Sequence, residues 1–134
     1  MHKCAMEPIL GKWSEPLYAI LRIDVGFLYA CHGAQKLFGV LGWHGPGHAH
    51  GLMLAAGVIE FGCGLLFVLG LFVSPAAFLA AGEMAVAYFM VHYPQGFWPI
   101  NNKGELAVAY CFLFLYFASR GGGALSLDRV TQRK

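Results

Sequence analysis

Charge is scarce in this chain of 134 residues. Asp, Glu, Lys and Arg together supply 12% of the sequence, whereas hydrophobic residues supply 58%. Soluble domains are about one quarter charged, and a chain of this length has too little interior to hide so much apolar surface from water. The shortage of charge therefore excludes an ordinary soluble domain and predicts one domain, residues 1–134, whose surplus apolar surface faces membrane lipid.

Three kinds of motif are also missing. The basic residues form neither a stripe nor a nucleic-acid-binding motif, so we expect no nucleic-acid partner. The four cysteines are widely spaced without a CxxC, so neither a zinc site nor a thioredoxin-type dithiol is indicated. Residues 1–15 contain no small-residue cleavage site, so we expect no removable signal peptide, and the first membrane segment would serve as the targeting signal.

Four apolar runs make up most of the remaining sequence. Each approaches the length that a helix needs to cross a hydrocarbon core of ~30 Å. The predicted fold is therefore all-α, an antiparallel four-helix transmembrane bundle with short tails at 1–15 and 120–134. The four runs lie at about 16–38, 51–72, 75–93 and 104–119.

Helix-capping residues support this division. Ser74 followed by Pro75 is typical of a helix start, which would begin the third helix. Asn102 and Glu105 have the spacing of a capping box at the start of the fourth helix. Gly121 begins a run of three glycines that would end it.

The distribution of lysine and arginine predicts the orientation. Four spans place both tails on one side of the membrane, and the basic residues are concentrated in those tails. By the positive-inside rule both termini are therefore cytoplasmic, and we expect a multi-pass protein of a bacterial-type cytoplasmic (inner) membrane. The tail cations are Lys3, Lys12, Arg120, Arg129, Arg133 and Lys134, against Lys36 and Lys103 on the other side.

Charged residues nevertheless occur within the predicted spans. A charge at the bilayer centre costs roughly 2.5–3.5 kcal/mol on insertion scales, so such residues usually face a bundle interior and pair. At about 100° per residue, all but Asp24 share a helix face with small residues suited to close helix contact. The four faces are Arg22, Gly26, Tyr29, Gly33 and Lys36; Ala56, Glu60 and Gly64; Ala76, Ala80, Glu83 and Ala87; and Glu105, Ala109, Phe112 and Tyr116.

Two interpretations of these charges are open. Their depths favour pairs of Arg22 with Glu83 or Glu60, and of Lys36 with Glu105, and such pairs could serve only to hold the helices together. In the other interpretation three glutamates face two cations, and a buried carboxyl without a full partner can hold and release a proton. Quinone chemistry or ion movement would use such a proton, and this interpretation predicts that Glu60→Gln damages quinone-linked activity more than assembly.

The stretches GEMAVAY (82–88) and GELAVAY (104–110) differ at one position and each contains one of the glutamates. On consecutive antiparallel helices they could form a small inverted repeat of the kind that some transporters use. Similar packing needs on neighbouring helices explain the likeness equally well.

The histidines suggest two further sites. The loop GWHGPGHAHG carries His44, His48 and His50, which could bind zinc or copper, although the loop lacks carboxylate or thiolate companions. His32 and His92 end two helices at similar depth and could hold a haem iron. His92, however, lies about 180° from Glu83 on its helix, so both cannot face the centre of the bundle, which argues against haem.

Taken together, the pattern resembles the DoxX family of small four-helix membrane proteins. The resemblance spans about residues 16–128 and is carried by RIDVGFLYACHGAQKLFG (22–39), AAGVIEFGCGLLFVLGLF (55–72), FWPINNKGELAVAY (97–110) and GGGALSLD (121–128). The resemblance implies an oxidoreductase function. Related proteins are associated with a thiosulfate:quinone oxidoreductase, with thiol redox balance, or with quinone and catechol stress. The shared polar positions of the family correspond to Arg22, Lys36, Glu60 and Glu105.

Three functions follow as hypotheses. The first is a component of a membrane redox system that binds quinone between helices, receives electrons from a larger membrane complex or a soluble donor, and holds no covalently bound cofactor. Its candidate catalytic residues are Glu60, Glu83 and Glu105, and its candidate ligand-binding residues are Arg22, Lys36, Tyr29 and His32. The second is a non-catalytic subunit of a larger complex or a homo-oligomer, with the aromatic residues Phe112, Phe114 and Phe117 on an exposed face. The third is a small transporter or a lipid-binding protein.

Overall fold

The computed structural model describes residues 7–45 and 49–132. Within these residues it contains six α-helices and no strand, which confirms the all-α prediction. A π-helical turn, Tyr88–His92, and a 3-10 turn, Tyr93–Gln95, extend the third helix. The six helices are α1 (Ser14–Phe38), α2 (Leu52–Leu69), α3 (Val73–Ala87), α4 (Pro99–Asn102), α5 (Glu105–Arg120) and α6 (Leu127–Thr131).

Two helical segments of the described chain are long and apolar enough to cross a membrane. They are Leu52–Leu69, which is α2, and Val73–Gln95, which is α3 with its two extending turns. Helix α5 is shorter, at 16 residues. Helix α1 is longer, at 25 residues, but carries several charged side chains.

Helix α1 packs mainly on α2, and α3 packs mainly on α5. Glycines allow the first of these contacts to be close: a Cβ added at Gly64 would lie 2.5 Å from the backbone nitrogen of Ala30 and 2.6 Å from the carbonyl oxygen of Gly26. Small residues at a membrane helix interface let two backbones approach in this way. The core between the helices is aromatic, and its fully buried rings are Tyr29, Phe67, Phe114 and Phe117.

The inward faces predicted for the first three helices are confirmed, but the one predicted for α5 is wrong. On α5 the residues Ala107, Tyr110, Phe114 and Phe117 are buried. The predicted face, which contains Glu105 and Ala109, is exposed instead. Of the three aromatic residues expected on an exposed face, only Phe112 is exposed, at 68%.

Both predicted N-terminal caps are wrong, whereas Gly121 ends α5 as predicted. Helix α3 begins at Val73, and the Ser74 hydroxyl donates to the carbonyl oxygen of Ala118 instead of capping. Helix α5 follows Gly104 and has no side-chain cap. The Asn102 side chain accepts instead from the Gly104 amide, at 2.8 Å.

The C-terminal segment, residues 121–132, is folded and not a simple tail. Asp128 accepts hydrogen bonds from the amides of Phe72 and Val73 at 2.8 and 3.1 Å, so it caps α3 from a distant part of the chain. Phe72 has a positive φ of 49°, an uncommon conformation for a bulky residue, and this cap holds it in place. The same segment meets the start of α1, where Tyr18 donates to the carbonyl oxygen of Gly121 at 2.6 Å.

Candidate functional site

A groove of about 860 Å³ lies between α1 and α2 on one side and α3 and α5 on the other. Its walls are mostly apolar, as ligand sites usually are, with a few polar groups that could orient a ligand. The polar lining residues are Tyr29, His32, Lys36, Glu60, Glu83, His92, Lys103 and Tyr110. The groove thus brings together five of the seven candidate catalytic and ligand-binding residues: Tyr29, His32, Lys36, Glu60 and Glu83.

Lys36 and Glu60 form an ion pair in the groove wall. The Lys36 Nζ lies 2.5 Å from both carboxylate oxygens of Glu60, and the two side chains are 18% and 4% exposed. The predicted pair of Lys36 with Glu105 is therefore wrong. Lys36 reaches from α1 to its neighbour α2, because the glycines at that interface bring the two helices close together.

Glu83 lies in the groove without an ion pair among the described residues. Its Oε2 accepts a hydrogen bond from the hydroxyl of Tyr29 at 2.8 Å, and its side chain is half-buried. The Tyr29 ring is fully buried and is fixed by contacts with Phe67, Tyr110 and Phe114. A rigid phenol thus holds one oxygen of a carboxyl group that borders an open cavity.

The two carboxyl groups of the groove lie on neighbouring helices, Glu60 on α2 and Glu83 on α3. Glu60 precedes the α2–α3 turn by about as many residues as Glu83 follows it. At a rise of 1.5 Å per residue, both therefore lie about 15 Å from that turn along their helices. One is neutralised by Lys36 and the other is bonded to an uncharged hydroxyl. The groove therefore contains two carboxyl groups in different electrostatic environments.

Arg22 lies outside the groove. Its side chain is 1% exposed, and its guanidinium donates to the carbonyl oxygens of Phe67, Val68 and Leu125. Both predicted partners, Glu83 and Glu60, are therefore wrong. Arg22 joins the end of α2 to the C-terminal segment, where backbone carbonyls satisfy most of its donors.

Glu105 also lies outside the groove. It is the first residue of α5 and its side chain is exposed. A carboxylate in the first turn of a helix interacts favourably with the helix dipole and does not need a buried partner. Because Glu105 lies at a helix start, its side chain is exposed, whereas that of Glu83 lines the groove, although both occur in nearly the same heptapeptide.

Asn102, which the sequence indicated only as a helix cap, is buried beside His92, a residue that lines the groove. Its side chain is 1% exposed and donates to the carbonyl oxygen of Gly96 at 2.7 Å. His92 lies in the π-helical turn, lines the groove, and donates from Nδ1 to the carbonyl oxygen of Asn102 at 3.0 Å. Such π-helical turns occur frequently at functional sites. In the sequence, the two adjacent asparagines of the WPINN stretch were the feature that could have indicated a buried turn at this position.

The histidine loop gives no support to a metal site. His44 and His50 are exposed, and His48 lies outside the described residues. Elsewhere in the described chain, no cluster of three or more His, Cys, Asp or Glu side chains is arranged to hold a metal ion.

The groove and the inward faces of α1 to α3 lie largely within the part of the chain that matches a known family. Residues 17–93 match the family model DoxX. The chain belongs to the DoxX family. DoxX proteins are small membrane proteins, in agreement with the two apolar helices of this chain.

A full-length relative of this DoxX protein is known from Haemophilus influenzae. It is 43% identical over 131 residues, which cover 93% of this chain and 98% of the relative, and it is described as "Uncharacterized protein". No solved structure matches the chain.

Proposed function

We propose that this DoxX protein binds a quinone or quinol in the groove between its helices and acts as a component of a membrane redox system. The observation that carries the proposal is the mostly apolar groove with the Lys36–Glu60 and Tyr29–Glu83 pairs in its wall. An apolar wall suits the ring and chain of a quinone. The polar pairs supply the donors and acceptors that its two oxygen atoms require.

The proposed topology is an antiparallel bundle of four spans in the cytoplasmic membrane, formed by α1, α2, α3 with its extending turns, and α5. The ion pair between Glu15 and Arg120 brings together the start of α1 and the end of α5. The contacts of Asp128 place the α2–α3 turn at the same end. Lys12, Arg120 and Arg129 lie at this end, which favours a cytoplasmic location for both termini.

Glu83 is the proposed site of proton exchange. Reduction of a quinone to a quinol takes up two electrons and two protons, and a carboxyl group beside the quinone oxygen can pass protons to it one at a time. Glu60 is less suited because it is ion-paired with Lys36, and Glu105 lies outside the groove. The electrons would come from a partner subunit or a soluble donor, and Lys36 and Tyr29 would hold the ring.

The test begins with gentle extraction of the protein from native membranes, followed by a visible spectrum and mass analysis of everything that stays bound. We expect quinone in a fixed ratio to the chain. The bound quinone is then reduced electrochemically while proton uptake is followed with a pH-sensitive dye. Glu83→Gln should retain the quinone but slow proton uptake on the order of 100-fold, the usual contribution of a general acid or base.

Glu105→Gln is the matched control, because it removes a carboxylate from the same heptapeptide outside the groove, and it should behave as the unaltered protein. Absence of quinone together with larger subunits in a fixed ratio would contradict the proposal and indicate an accessory subunit. Glu83-dependent ion flux into liposomes without bound quinone would indicate a transporter.

A further inference from the structure

The groove opens on the side of the molecule. Several of its lining side chains are exposed: Phe78 is 71% exposed, Met90 58% and Leu79 52%. On the facing helix, Met53 is 43% exposed. In a membrane protein such a side opening between α2 and α3 faces lipid and not water.

Gly82 lies in the wall of this opening, next to Glu83. A Cβ added at Gly82 would meet no atom within 4 Å, whereas a Cβ at Gly26 or Gly64 would collide with a neighbouring helix. Helix packing therefore accounts for those two glycines but not for Gly82. Glycine in a helix interior is destabilising relative to alanine, and at Gly82 it leaves open space beside Glu83 in the groove wall.

The polar groups around Tyr29 and Glu83 suit an uncharged head. The charge of Lys36 is neutralised by Glu60, and Glu83 is hydrogen-bonded to the neutral hydroxyl of Tyr29. A ligand that places an uncharged polar ring at Tyr29 and Glu83 must extend the rest of its structure along the apolar wall at Phe78 and Leu79. That wall offers contacts for a flexible hydrocarbon chain and few hydrogen-bonding groups.

We infer that the ligand is a quinone with a long hydrocarbon chain, that it reaches the groove sideways from the bilayer between α2 and α3, and that Gly82 sets the width of this path. The inference rests on the proposed function and adds to it the route of entry and a specificity-determining residue, Gly82. The ring lies at Tyr29 and Glu83, and the chain passes over Gly82 toward the lipid.

The test compares Gly82→Leu with Gly62→Leu in the full chain, purified in lipid nanodiscs. Gly62 is the matched control because it is also an exposed helical glycine with nothing within 4 Å of an added Cβ, but it does not line the groove. The probes are a ring-only benzoquinone and the same ring with a decyl chain, and binding is followed by quenching of tryptophan fluorescence. Gly82→Leu should weaken binding of the chain-bearing quinone about tenfold and change that of the ring-only quinone less than about twofold.

A second measurement on the unaltered protein does not depend on how the variants fold. A quinone with a diazirine at the end of its chain is photolysed in the nanodisc, and the cross-linked residues are identified by mass spectrometry. We expect cross-links at Phe78, Leu79 or Met53, the residues that flank the side opening.

The outcomes separate this inference from the proposed function. Suppose that the unaltered protein binds both quinones and that Gly82→Leu changes the binding of neither quinone, or of both equally. The proposed path of the hydrocarbon chain is then overturned, while quinone binding stands. Cross-links confined to other surfaces overturn it as well. If the unaltered protein binds neither quinone, the proposed function fails and the inference fails with it.

Discussion

Four charged side chains inside the helices are stabilised in three different ways. Lys36 and Glu60 neutralise each other, Glu83 accepts from a phenol, and Arg22 donates to backbone carbonyls at the junction with the C-terminal segment. A buried charge without a partner costs several kcal/mol, whereas a charge with good hydrogen bonds is tolerated. Only Glu83 combines an uncharged partner with direct access to the groove.

The Lys36–Glu60 pair should respond to single and double substitution in different ways. Lys36→Met or Glu60→Gln leaves the other charge without its ionic partner in a mostly apolar wall, and each should lower the free energy of unfolding by roughly 3 kcal/mol. The double variant should recover most of this loss, because no charge then remains. Denaturation of the purified protein in mixed detergent micelles measures the four free energies of the cycle.

Glu105→Gln serves as the control for this cycle, since an exposed substitution usually changes stability by less than about 0.5 kcal/mol. Losses that simply add in the double variant would show that the pair is not coupled. The same reasoning alters the prediction from sequence for Glu60→Gln. Its loss of stability should accompany any loss of activity, so Glu83→Gln is the clearer test of proton exchange.

Among the helices, the contact of α1 with α2 depends on glycine. Gly64→Ala should lower stability by about 1–3 kcal/mol, as overpacking does, because its Cβ would lie 2.5 Å from the Ala30 nitrogen. Gly62→Ala lies on the same helix with open space around it and should raise stability by up to about 1 kcal/mol. Thermal unfolding of both variants in the same detergent measures the difference, and equal effects would mean that the close approach is not required.

The two similar heptapeptides occupy different places in their helices. GEMAVAY falls in the middle of the α3 segment, where Glu83 reaches the groove. GELAVAY spans the start of α5, where Gly104 is buried against Tyr88 and Asn102, and Glu105 is exposed. The two heptapeptides are therefore similar in sequence but not in their position within a helix, and the two glutamates have different surroundings.

The C-terminal segment connects helices that are far apart in sequence. It caps α3 through Asp128, binds Arg22 through the carbonyl oxygen of Leu125, and contacts α1 through Gly121. The capped turn joins α2 to α3, the two helices that border the side opening, and no residue of the segment lines the groove.

Loss of the Asp128 cap should loosen this end of the protein. Asp128→Ala removes the acceptor for the amides of Phe72 and Val73, and we expect a loss of about 1 kcal/mol, as for other helix caps. Hydrogen exchange followed by mass spectrometry should show faster exchange in a peptide that contains both amides. Arg129→Ala, on the same short helix, is the control, and unchanged exchange in Asp128→Ala would contradict the role of the cap.

Composition and periodicity were enough to predict an all-α membrane protein and the inward faces of α1, α2 and α3, whereas the DoxX family was predicted from the resemblance of its motifs. They succeed because lipid penalises exposed polar groups, so a charge inside a long apolar run marks the face that is buried. They fail for α5, which is apolar on every side and whose only acid, Glu105, lies at a helix start where burial is not needed. Tyr29 was found because it shares a face with Arg22 and Lys36.

The choice of partners could be made only by the tertiary structure. Whether Lys36 meets Glu60 or Glu105 depends on the relative depth and rotation of the helices, which are set by contacts such as that of Gly64 with Ala30. The acceptors of Arg22 and the donors to Asp128 are backbone groups, which every residue carries, so no sequence pattern distinguishes them. The separation of Glu83, open to the groove, from Glu60, paired with lysine, follows from that packing and not from any difference between the two residues.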